Sequence, residues 1–594
     1  MWTSYKIHVN LEIYMKLEKK ITWRIGGESG QGQQLAGLIL GRTCLASGLF
    51  CFVSSKFASR LRGGLAINQV SISNKPVRAI SKRIDISFAL SQSALEYCQK
   101  DIADNSLVFY DVNKVKKIVK NTDKIRYISL PLSELVNKIN LDSSVYNFLI
   151  LGISAFLFNL DIGLLKKEIQ NGLNGNGLVQ KNKKAAQIGW DYANKNLKIK
   201  KLLQYKKDNS GLKKIILTGN EAVAKGAIIA NCKFYSSYPM TPSSSILHIL
   251  AKLAKKSKMT VNHPEDEIAA INMAIGASWA GARSMVGTSG GGFALMTEGL
   301  GLAAMSETPL VVIESQRPGP STGMATWTEQ GDLQYLAKAG HGDFHRIILA
   351  PADVEESFYF TILAFNLTDI YQIPVFILLD KYVSESHQVI SEFKLNNVEI
   401  NRGKLLTNSQ LAKIKDYKRY SLAKDGVSPR SLPGQKNGIF LANGNEHNQY
   451  GFSIDGFKKG DREEQMQKRQ MKIKDILKDL PKPVLFGPDN ANLTLIGWGS
   501  TKGIILESLK TLNHNSNKVN YIHIPAPFPL DAKALSGLLN NAKKIVVVEN
   551  NYIGQMADLM QEALGQKFEY RLNKYDGRQF FPEEIIQKIK KYEK

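Results

Sequence analysis

The stretch that decides the fold is residues 234–332, whose three blocks read FYSSYPMTPSSSI (234–246), NHPEDEIAAINMAIGASWAGARSMVGTSGGG (262–292) and VVIESQRPGPSTGMATWTEQGD (311–332). Apolar runs such as 285–287 and 310–313 predict buried strands, and the small-residue segments between them predict packed helices. Each predicted strand ends in a loop rich in Gly, Ser, Thr or Pro. Because an open α/β sheet binds ligands at the carboxyl ends of its strands, this stretch predicts a ligand crevice.

The remaining sequence is predicted to frame this crevice. Strand, glycine turn and helix follow one another near residues 21, 215 and 492, an alternation that is typical of parallel α/β sheets. We therefore predict an α/β fold with three parallel-sheet domains. The predicted parts are an N-terminal extension (1–20), a first domain (21–196), a lysine-rich linker (197–214), a second domain (215–387), a connecting segment (388–485) and a third domain (486–594).

The composition excludes several classes of protein. The 594 residues are 43% hydrophobic, but no apolar run reaches the length of a membrane span and no signal peptide is evident, so we expect a cytoplasmic protein with no membrane partner. The formal net charge is +25. Since the lysines are dispersed and no nucleic-acid-binding motif is present, we expect anionic partners rather than nucleic acid.

Metal binding by this chain alone is not expected. The four cysteines lack CxxC spacing and the nine histidines show no HExxH pattern, so neither a zinc site nor an iron–sulfur cluster is predicted. Reduced, packed cysteines are the simpler interpretation.

A glycine-rich turn follows the first predicted strand, ITWRIGG. Gly26, Gly27, Gly30 and Gly32 predict a turn at a helix N-terminus that could cradle a phosphate group. The spacing is not GxGxxG and no Walker lysine follows. A tight strand-to-helix turn without a ligand therefore stays open as the alternative.

YPMTPSS (238–244) and QRPGPSTG (316–323) in one chain resemble the 2-oxoacid:acceptor (ferredoxin) oxidoreductases. The chain is similar to an alpha subunit with the gamma domain fused in front, and is most like the 2-oxoglutarate type. GGESGQGQQLAG (26–37) through SRLRGG (59–64) resembles the gamma-type domain, while LIGWGSTKG (495–503) and VVVENNYIGQ (546–555) resemble a transketolase C-terminal-like domain. The central stretch then corresponds to a thiamine diphosphate pyrimidine-binding domain.

The resemblance also implies cofactors and partners. Thiamine diphosphate would be shared with a beta subunit that carries Mg²⁺ and a [4Fe–4S] cluster, because this chain lacks both a GDG…N pattern and the cluster cysteines. An αβ assembly, with CoA as co-substrate and ferredoxin as electron acceptor, would complete the enzyme.

Site residues follow from the same resemblance. Glu267 is the predicted catalytic residue, hydrogen-bonded to the thiamine pyrimidine; Glu265 is the other candidate, and a purely helix-stabilising role is the alternative. Arg317, Thr241 and Thr326 are predicted to hold the oxoacid carboxylate, with Thr322 as a possible substitute. Ser289 and Gly290 are predicted to contact the cofactor ring.

Other functions stay open at this point. Pyruvate, branched-chain oxoacids and indolepyruvate are alternative substrates to 2-oxoglutarate. A transketolase-like transferase would use the same cofactor without ferredoxin. A non-catalytic CoA- or nucleotide-binding scaffold, built on the Gly26 turn, is the alternative from another class.

Overall fold

The structure, a computed structural model, describes residues 20–57, 64–118, 124–137, 140–197, 199, 201–203, 213–396, 398–454, 460–513 and 518–592. Three β-sheets form its frame. The predicted N-terminal extension, apart from Lys20, and most of the predicted linker lie outside the described residues.

Up to residue 197 the strands are β1 (Ile21–Glu28), β2 (Phe50–Phe57), β3 (Leu65–Ser73), β4 (Ile84–Ala89), β5 (Ile102–Asp111) and β6 (Arg126–Leu130), and the helices are α1 (Gln33–Ala46), α2 (Gln92–Cys98), α3 (Leu132–Asn137), α4 (Tyr146–Leu157), α5 (Ile162–Gly172) and α6 (Asn176–Asn196). Two 3₁₀ turns, Gln99–Asp101 and Ser143–Val145, precede β5 and α4.

Residues 213–391 form the strands β7 (Lys214–Leu217), β8 (Phe234–Ser236), β9 (Thr260–Asn262), β10 (Ser284–Thr288), β11 (Leu310–Gln316), β12 (Ile347–Leu349), β13 (Pro374–Asp380) and β14 (His387–Ser391), with the helices α7 (Gly219–Ile229), α8 (Ser244–Ser257), α9 (Glu267–Trp279), α10 (Gly290–Met305), α11 (Leu333–Lys338), α12 (Val354–Tyr371) and α13 (Lys381–Glu385).

The remainder contains β15 (Val484–Phe486), β16 (Leu493–Trp498), β17 (Val519–Ile524), β18 (Ile545–Glu549) and β19 (Tyr570–Asn573), with α14 (Asn408–Leu411), α15 (Asp461–Met471), α16 (Ile473–Asp479), α17 (Thr501–Leu512), α18 (Ala532–Leu539), α19 (Gln555–Leu564) and α20 (Pro582–Ile589). Among the described residues, no helix combines the length and apolar character that crossing a membrane requires.

The first sheet is mixed, with three parallel and four antiparallel strand pairs among the described residues. Its order is β6-β5-β4-β1-β3-β2-β14-β7; β6 to β1 are parallel, and every pair from β1 to β7 is antiparallel. On one face, α4 and α6 cross so closely that a Cβ at Gly152 or Gly189 would overlap the backbone of the other helix. β7 and β14, which flank the second sheet in sequence, extend the first sheet at its β2 edge.

The second sheet is wholly parallel, in the order β12-β13-β11-β10-β8-β9. Every residue of β11 and β13 is buried, as expected for central strands covered by helices on both faces. The third sheet, β15-β17-β16-β18-β19, is parallel except for the edge strand β15. The α/β fold with several largely parallel sheets is confirmed, but the first sheet, which was predicted to be parallel, is mixed because β2, β3, β7 and β14 pair in antiparallel fashion.

The three sheets share their cores. One cluster joins Phe376 of the second sheet to Trp498 of the third, and another joins Phe52 of the first sheet to Tyr521 of the third. The connecting segment is anchored by buried charges: Asp369 lies 2.8 to 2.9 Å from the guanidinium groups of Arg283, Arg402 and Arg430. This packing holds the second sheet, and thus the crevice, in place.

Candidate functional site

The crevice lies at the carboxyl ends of β8, β10 and β11, which are neighbours in the second sheet. The loop after β8 contains Thr241, the turn after β10 contains Ser289, and the loop after β11 begins with Arg317. Because these parallel strands end at one edge, the three predicted motifs meet there, as expected for an open α/β sheet.

Glu267 is the first residue of α9 and is 4% exposed. The helix is capped by its neighbour, since the Asp266 carboxylate accepts from the backbone N–H of Ala269 at 2.8 Å. Oε1 of Glu267 has no hydrogen-bond partner within the described part of the chain. Helix capping is therefore done by Asp266, and the buried carboxylate of Glu267 keeps an unused acceptor. Glu265 is exposed.

The N-terminus of α10 forms one wall of the crevice. Its N-cap, Ser289, is fully buried, makes no side-chain cap bond, and leaves its hydroxyl without a partner among the described residues. A Cβ at Gly292 would lie 2.6 Å from Oε1 of Glu267, and a Cβ at Gly290 would lie 2.6 Å from Oδ2 of Asp332. Glycine is therefore required here because two carboxylates approach the turn.

Arg317 and Thr241 are brought together. Nη1 of Arg317 donates to the backbone carbonyl of Thr241 at 2.9 Å. Both residues are half-buried. Burial lowers the pKa of Arg317, and the carboxyl groups of Asp332 and Glu314 act against that shift. An arginine stays cationic in this setting, so its unused N–H donors form an anion-binding group.

The side chain of Thr326 makes its hydrogen bond with the first sheet and not with Arg317. Its hydroxyl donates to the carbonyl of Phe57, the last residue of β2, at 2.9 Å. This bond fixes the loop after β11 against the first sheet. Thr322, the possible substitute, is exposed. The substrate roles of both threonines stay predictions.

Two carboxylates without a predicted role lie beside these residues. Glu314 is fully buried on β11, and Asp332 precedes α11. Burial, reinforced by Asp332, raises the pKa of Glu314 well above its usual value. Burial raises the pKa of Asp332 to about 6, although Glu314 and Arg317 lower it. A charged residue within the apolar run VVIES was the available sequence signal for Glu314.

The glycine-rich turn of the first sheet is filled by its own side chains. Gly26 and Gly27 belong to β1, while Gly30 and Gly32 adopt left-handed φ angles of 90° and 88° before α1. Oε1 of Gln31 accepts from the N–H of Glu28 and from Nε2 of Gln33, each at 3.2 Å. The packing is that of a tight turn, and phosphate binding there stays a prediction. The nearby SRLRGG segment lies outside the described residues except for Gly64.

Comparison with known families defines the class of protein. Residues 225–466 match the family described as pyruvate flavodoxin/ferredoxin oxidoreductase, thiamine diP-binding, and residues 22–192 match pyruvate ferredoxin/flavodoxin oxidoreductase. The first match contains every strand of the second sheet, and the second match contains most of the strands of the first sheet.

Individual relatives narrow the assignment. Subunit alpha of 2-oxoacid:ferredoxin oxidoreductase 2 from Aeropyrum pernix is 30% identical, with 96% of this chain and 97% of the relative covered. The 2-oxoglutarate synthase subunit KorA of Methanothermobacter thermautotrophicus is 31% identical, with 63% of this chain and 98% of the relative covered. The chain belongs to the family of 2-oxoacid:ferredoxin oxidoreductase alpha subunits, which confirms the predicted resemblance.

A solved structure agrees with this assignment. The 2-oxoglutarate:ferredoxin oxidoreductase from Magnetococcus marinus, solved with 2-oxoglutarate, coenzyme A and succinyl-CoA bound, superposes with a TM-score of 0.90 at 29% identity. The match covers 96% of this chain and 99% of that one. The whole fold, including the sheet edge that carries the crevice, is therefore shared.

Proposed function

We propose that this chain binds the 2-oxoacid and the pyrimidine of thiamine diphosphate in an αβ enzyme that converts 2-oxoglutarate and CoA to succinyl-CoA, CO₂ and reduced ferredoxin. The observation that carries the proposal is the Glu267 carboxylate, buried at the crevice with one oxygen unpartnered in the described structure. The substrate follows from the names of the 2-oxoglutarate relatives. The enzyme class follows from the family.

The residues present fit thiamine diphosphate. Among the described residues, Glu267 has a buried carboxyl oxygen and Ser289 a buried hydroxyl without a hydrogen-bond partner. When bound, the cofactor supplies a nucleophilic carbon that makes loss of CO₂ possible. Glu267 would hydrogen-bond the pyrimidine ring nitrogen and hold the proton that shifts the aminopyrimidine to its reactive tautomer. The α10 N-terminus, with Ser289 and Gly290, would support the ring.

Arg317 would bind the carboxylate of the substrate. One of its five N–H donors is used by the Thr241 carbonyl, which fixes the guanidinium and leaves the others to form charge-assisted bonds. Thr241 and Thr326 would add hydroxyl contacts from the two flanking loops.

In this proposal a beta subunit completes the site. Within the described ranges no group of three or more His, Cys, Asp and Glu residues could hold a metal ion. We assign Mg²⁺ and the [4Fe–4S] cluster to a beta subunit and propose that the complex works in the cytoplasm with ferredoxin. In this proposal a gamma-type domain (21–196) contains β1 to β6, the pyrimidine-binding domain (215–387) contains the second sheet, and a transketolase C-terminal-like domain (486–594) follows, joined by 197–214 and 388–485. The strands β7 and β14, at the two boundaries of the pyrimidine-binding domain, pair with the first sheet instead.

The test is an anaerobic activity assay on this chain co-expressed with a beta-type subunit. Viologen reduction is followed with 2-oxoglutarate, CoA, Mg²⁺ and thiamine diphosphate, and in parallel with pyruvate, a branched-chain oxoacid and indolepyruvate. CoA-dependent reduction that is fastest with 2-oxoglutarate supports the proposal. A faster rate with another oxoacid overturns the substrate assignment. No reduction with any of them, from a complex that holds its cluster and cofactor, overturns the activity.

A further inference from the structure

Two motifs of the third sheet, LIGWGSTKG (495–503) and VVVENNYIGQ (546–555), take no part in the crevice itself. The first runs from β16 into α17, and the second runs from β18 into α19. Because β16 and β18 are parallel neighbours, the two motifs leave the third sheet at the same edge. There both contact the loop after β11, residues 317–332, which begins with Arg317 and which we call the crevice loop.

Gln330 is the residue of the crevice loop on which both motifs converge. It is fully buried. Its backbone N–H donates to the carbonyl of Asn550 at 2.7 Å, and its Oε1 accepts from the N–H of Asn550 at 3.0 Å. Its Nε2 donates to the carbonyl of Trp498 at 2.9 Å, and its own carbonyl accepts from Nδ2 of Asn551 at 3.0 Å. Main chain and side chain of Gln330 are therefore both fixed by the third sheet.

The residues that hold the crevice loop are themselves held. The buried carboxylate of Glu549 accepts from Nδ2 of Asn551 at 2.9 Å and from two backbone N–H groups in the first turn of α19 at 2.8 and 3.0 Å. Nε2 of Gln555 donates to the carbonyl of Gly331 at 2.5 Å, and its Oε1 accepts from the N–H of Gln334 at 2.9 Å. The end of the crevice loop thus rests on a network that the third sheet forms on its own.

The held segment adjoins the wall of the crevice. Asp332, two residues after Gln330, lies so close to the α10 turn that a Cβ at Gly290 would be 2.6 Å from its Oδ2. Earlier in the same loop, Thr326 is bonded to the first sheet, and Arg317 opens the loop. A loop that is fixed at several points before a ligand arrives loses less conformational entropy when the ligand binds.

We propose that Gln330 is a positioning residue through which the third sheet orders the crevice loop and raises the affinity for the 2-oxoacid. The inference rests on the oxoacid binding proposed above, and it gives the two motifs of the third sheet a part in that binding. Release of Gln330 should raise the KM for the oxoacid, because binding must then order the loop. It should leave kcat nearly unchanged, because the bound anion restores the ordered loop at saturation.

The test is steady-state kinetics of the αβ complex containing Gln330→Met, at saturating CoA and thiamine diphosphate. Methionine keeps the length of the side chain but loses the bonds to Asn550 and Trp498. We expect the KM for the preferred oxoacid to rise roughly 10-fold, the scale of one or two net hydrogen bonds, with kcat within about twofold of the wild type.

Asn520→Leu is the matched control for Gln330→Met. Asn520 is a buried amide of the third sheet whose Nδ2 donates to the carbonyl of Pro488 at 3.0 Å, away from the crevice loop. Its replacement also removes a buried hydrogen bond, so it should lower the melting temperature. The KM for the oxoacid should stay at the wild-type value.

Hydrogen exchange of peptides that cover 317–332 measures the order of the crevice loop directly. Exchange should be faster in Gln330→Met than in the wild type or Asn520→Leu, and it should slow again at saturating oxoacid. Gln555→Met loses the bonds to Gly331 and Gln334 and should raise KM in the same way. It serves as the second variant if Gln330→Met does not assemble.

The outcomes separate the two proposals. A lower kcat at unchanged KM in Gln330→Met, an equal rise of KM in Asn520→Leu, or wild-type exchange of the crevice loop overturns the positioning role, while turnover of the wild type leaves the proposed function intact. If the wild-type complex reduces viologen with no oxoacid, the proposed function fails, and the inference fails with it. A merely structural role for Gln330 would lower the melting temperature without raising KM.

Discussion

Arg317 is fixed by the backbone of Thr241, whose carbonyl oxygen accepts from Nη1 at 2.9 Å across 76 residues of sequence. The two motifs that contain them, YPMTPSS and QRPGPSTG, therefore form one structure at the ends of β8 and β11. The backbone carbonyl orients the guanidinium. The first prediction follows from this geometry.

Arg317→Ala should chiefly raise the apparent KM for the 2-oxoacid. A hydrogen bond to a charged group contributes about 1.5–3 kcal/mol, which corresponds to roughly 10- to 100-fold in affinity. Arg317→Lys keeps the positive charge but loses the planar guanidinium with its paired donors, so its KM should lie between that of the wild type and that of Arg317→Ala. Steady-state kinetics of the complex at saturating CoA measure the effect. An unchanged KM and kcat in Arg317→Ala would move carboxylate recognition elsewhere.

Glu267→Gln should abolish oxidation while the complex still assembles. The amide preserves the volume of a side chain that is 4% exposed but cannot take up the proton that a carboxylate can. Glu265→Gln is the matched control, because it changes the same residue type two positions away at an exposed site. Turnover and size-exclusion profiles are compared for both variants. Wild-type turnover in Glu267→Gln would exclude the catalytic role.

The motifs that form the crevice could be predicted because their signals are local. Buried runs such as 310–313 predict β11, and the glycine-rich run after β10 predicts a strand-to-helix turn. Parallel strand ends then meet at one edge whatever the details of packing. The local signals therefore placed Thr241, Ser289 and Arg317 at one sheet edge, whereas the roles of these residues and of Glu267 came from the family resemblance and stay predictions.

The rest depends on contacts between distant residues. The hydroxyl of Thr326 donates a hydrogen bond to the carbonyl of Phe57, 269 residues away in sequence. The strand β14 pairs with β2 and β7. No local sequence pattern encodes either contact. Asp266 caps α9, and Glu267 is the first residue of that helix. Sequence alone could not tell which of these two carboxylates caps the helix, because the exact first residue of the helix was not known.

Gly292→Ala should impair cofactor binding and stability together. The new methyl group would meet Oε1 of Glu267 at 2.6 Å and would overlap the Thr288 hydroxyl, and overpacking of this kind costs about 1–3 kcal/mol. Thermal unfolding and the thiamine diphosphate concentration that gives half-maximal activity are the measurements.

Gly301→Ala, on the same helix, is the matched control for Gly292→Ala. A Cβ there meets no atom within 4 Å, so the added methyl should be neutral or stabilise the helix by up to about 1 kcal/mol. Equal changes in melting temperature and cofactor requirement for Gly292→Ala and Gly301→Ala would show that the Glu267 carboxylate does not lie against Gly292 of α10.

Glu307→Gln should destabilise the fold at neutral pH. Glu307 is fully buried, and its two oxygens lie 2.5 Å from Nζ of Lys468 and 2.7 Å from Nζ of Lys472. Lys468 lies on α15 and Lys472 directly follows this helix, and both lysines are buried. Removing one partner of a buried ion pair costs about 3–5 kcal/mol because a charge is left uncompensated.

Glu562→Gln is the matched control for Glu307→Gln. It breaks the exposed ion pair with Lys338 and should change the free energy of unfolding by less than about 1 kcal/mol.

The stabilisation by Glu307 should decrease as the pH falls. Burial opposes ionisation of Glu307, but Lys468, Lys472 and Arg419 together lower its pKa below the usual value. A lowered pKa in the folded state means that the unfolded chain binds more protons at acid pH, so the carboxylate stabilises the fold above its unfolded pKa and loses that effect as pH falls. The difference in free energy of unfolding between wild type and Glu307→Gln should therefore be largest near neutral pH and shrink below about pH 4.5, the ordinary range of a glutamate. Urea unfolding at pH 7 and pH 4 measures it, and a difference that grows on acidification would contradict the ionised cluster.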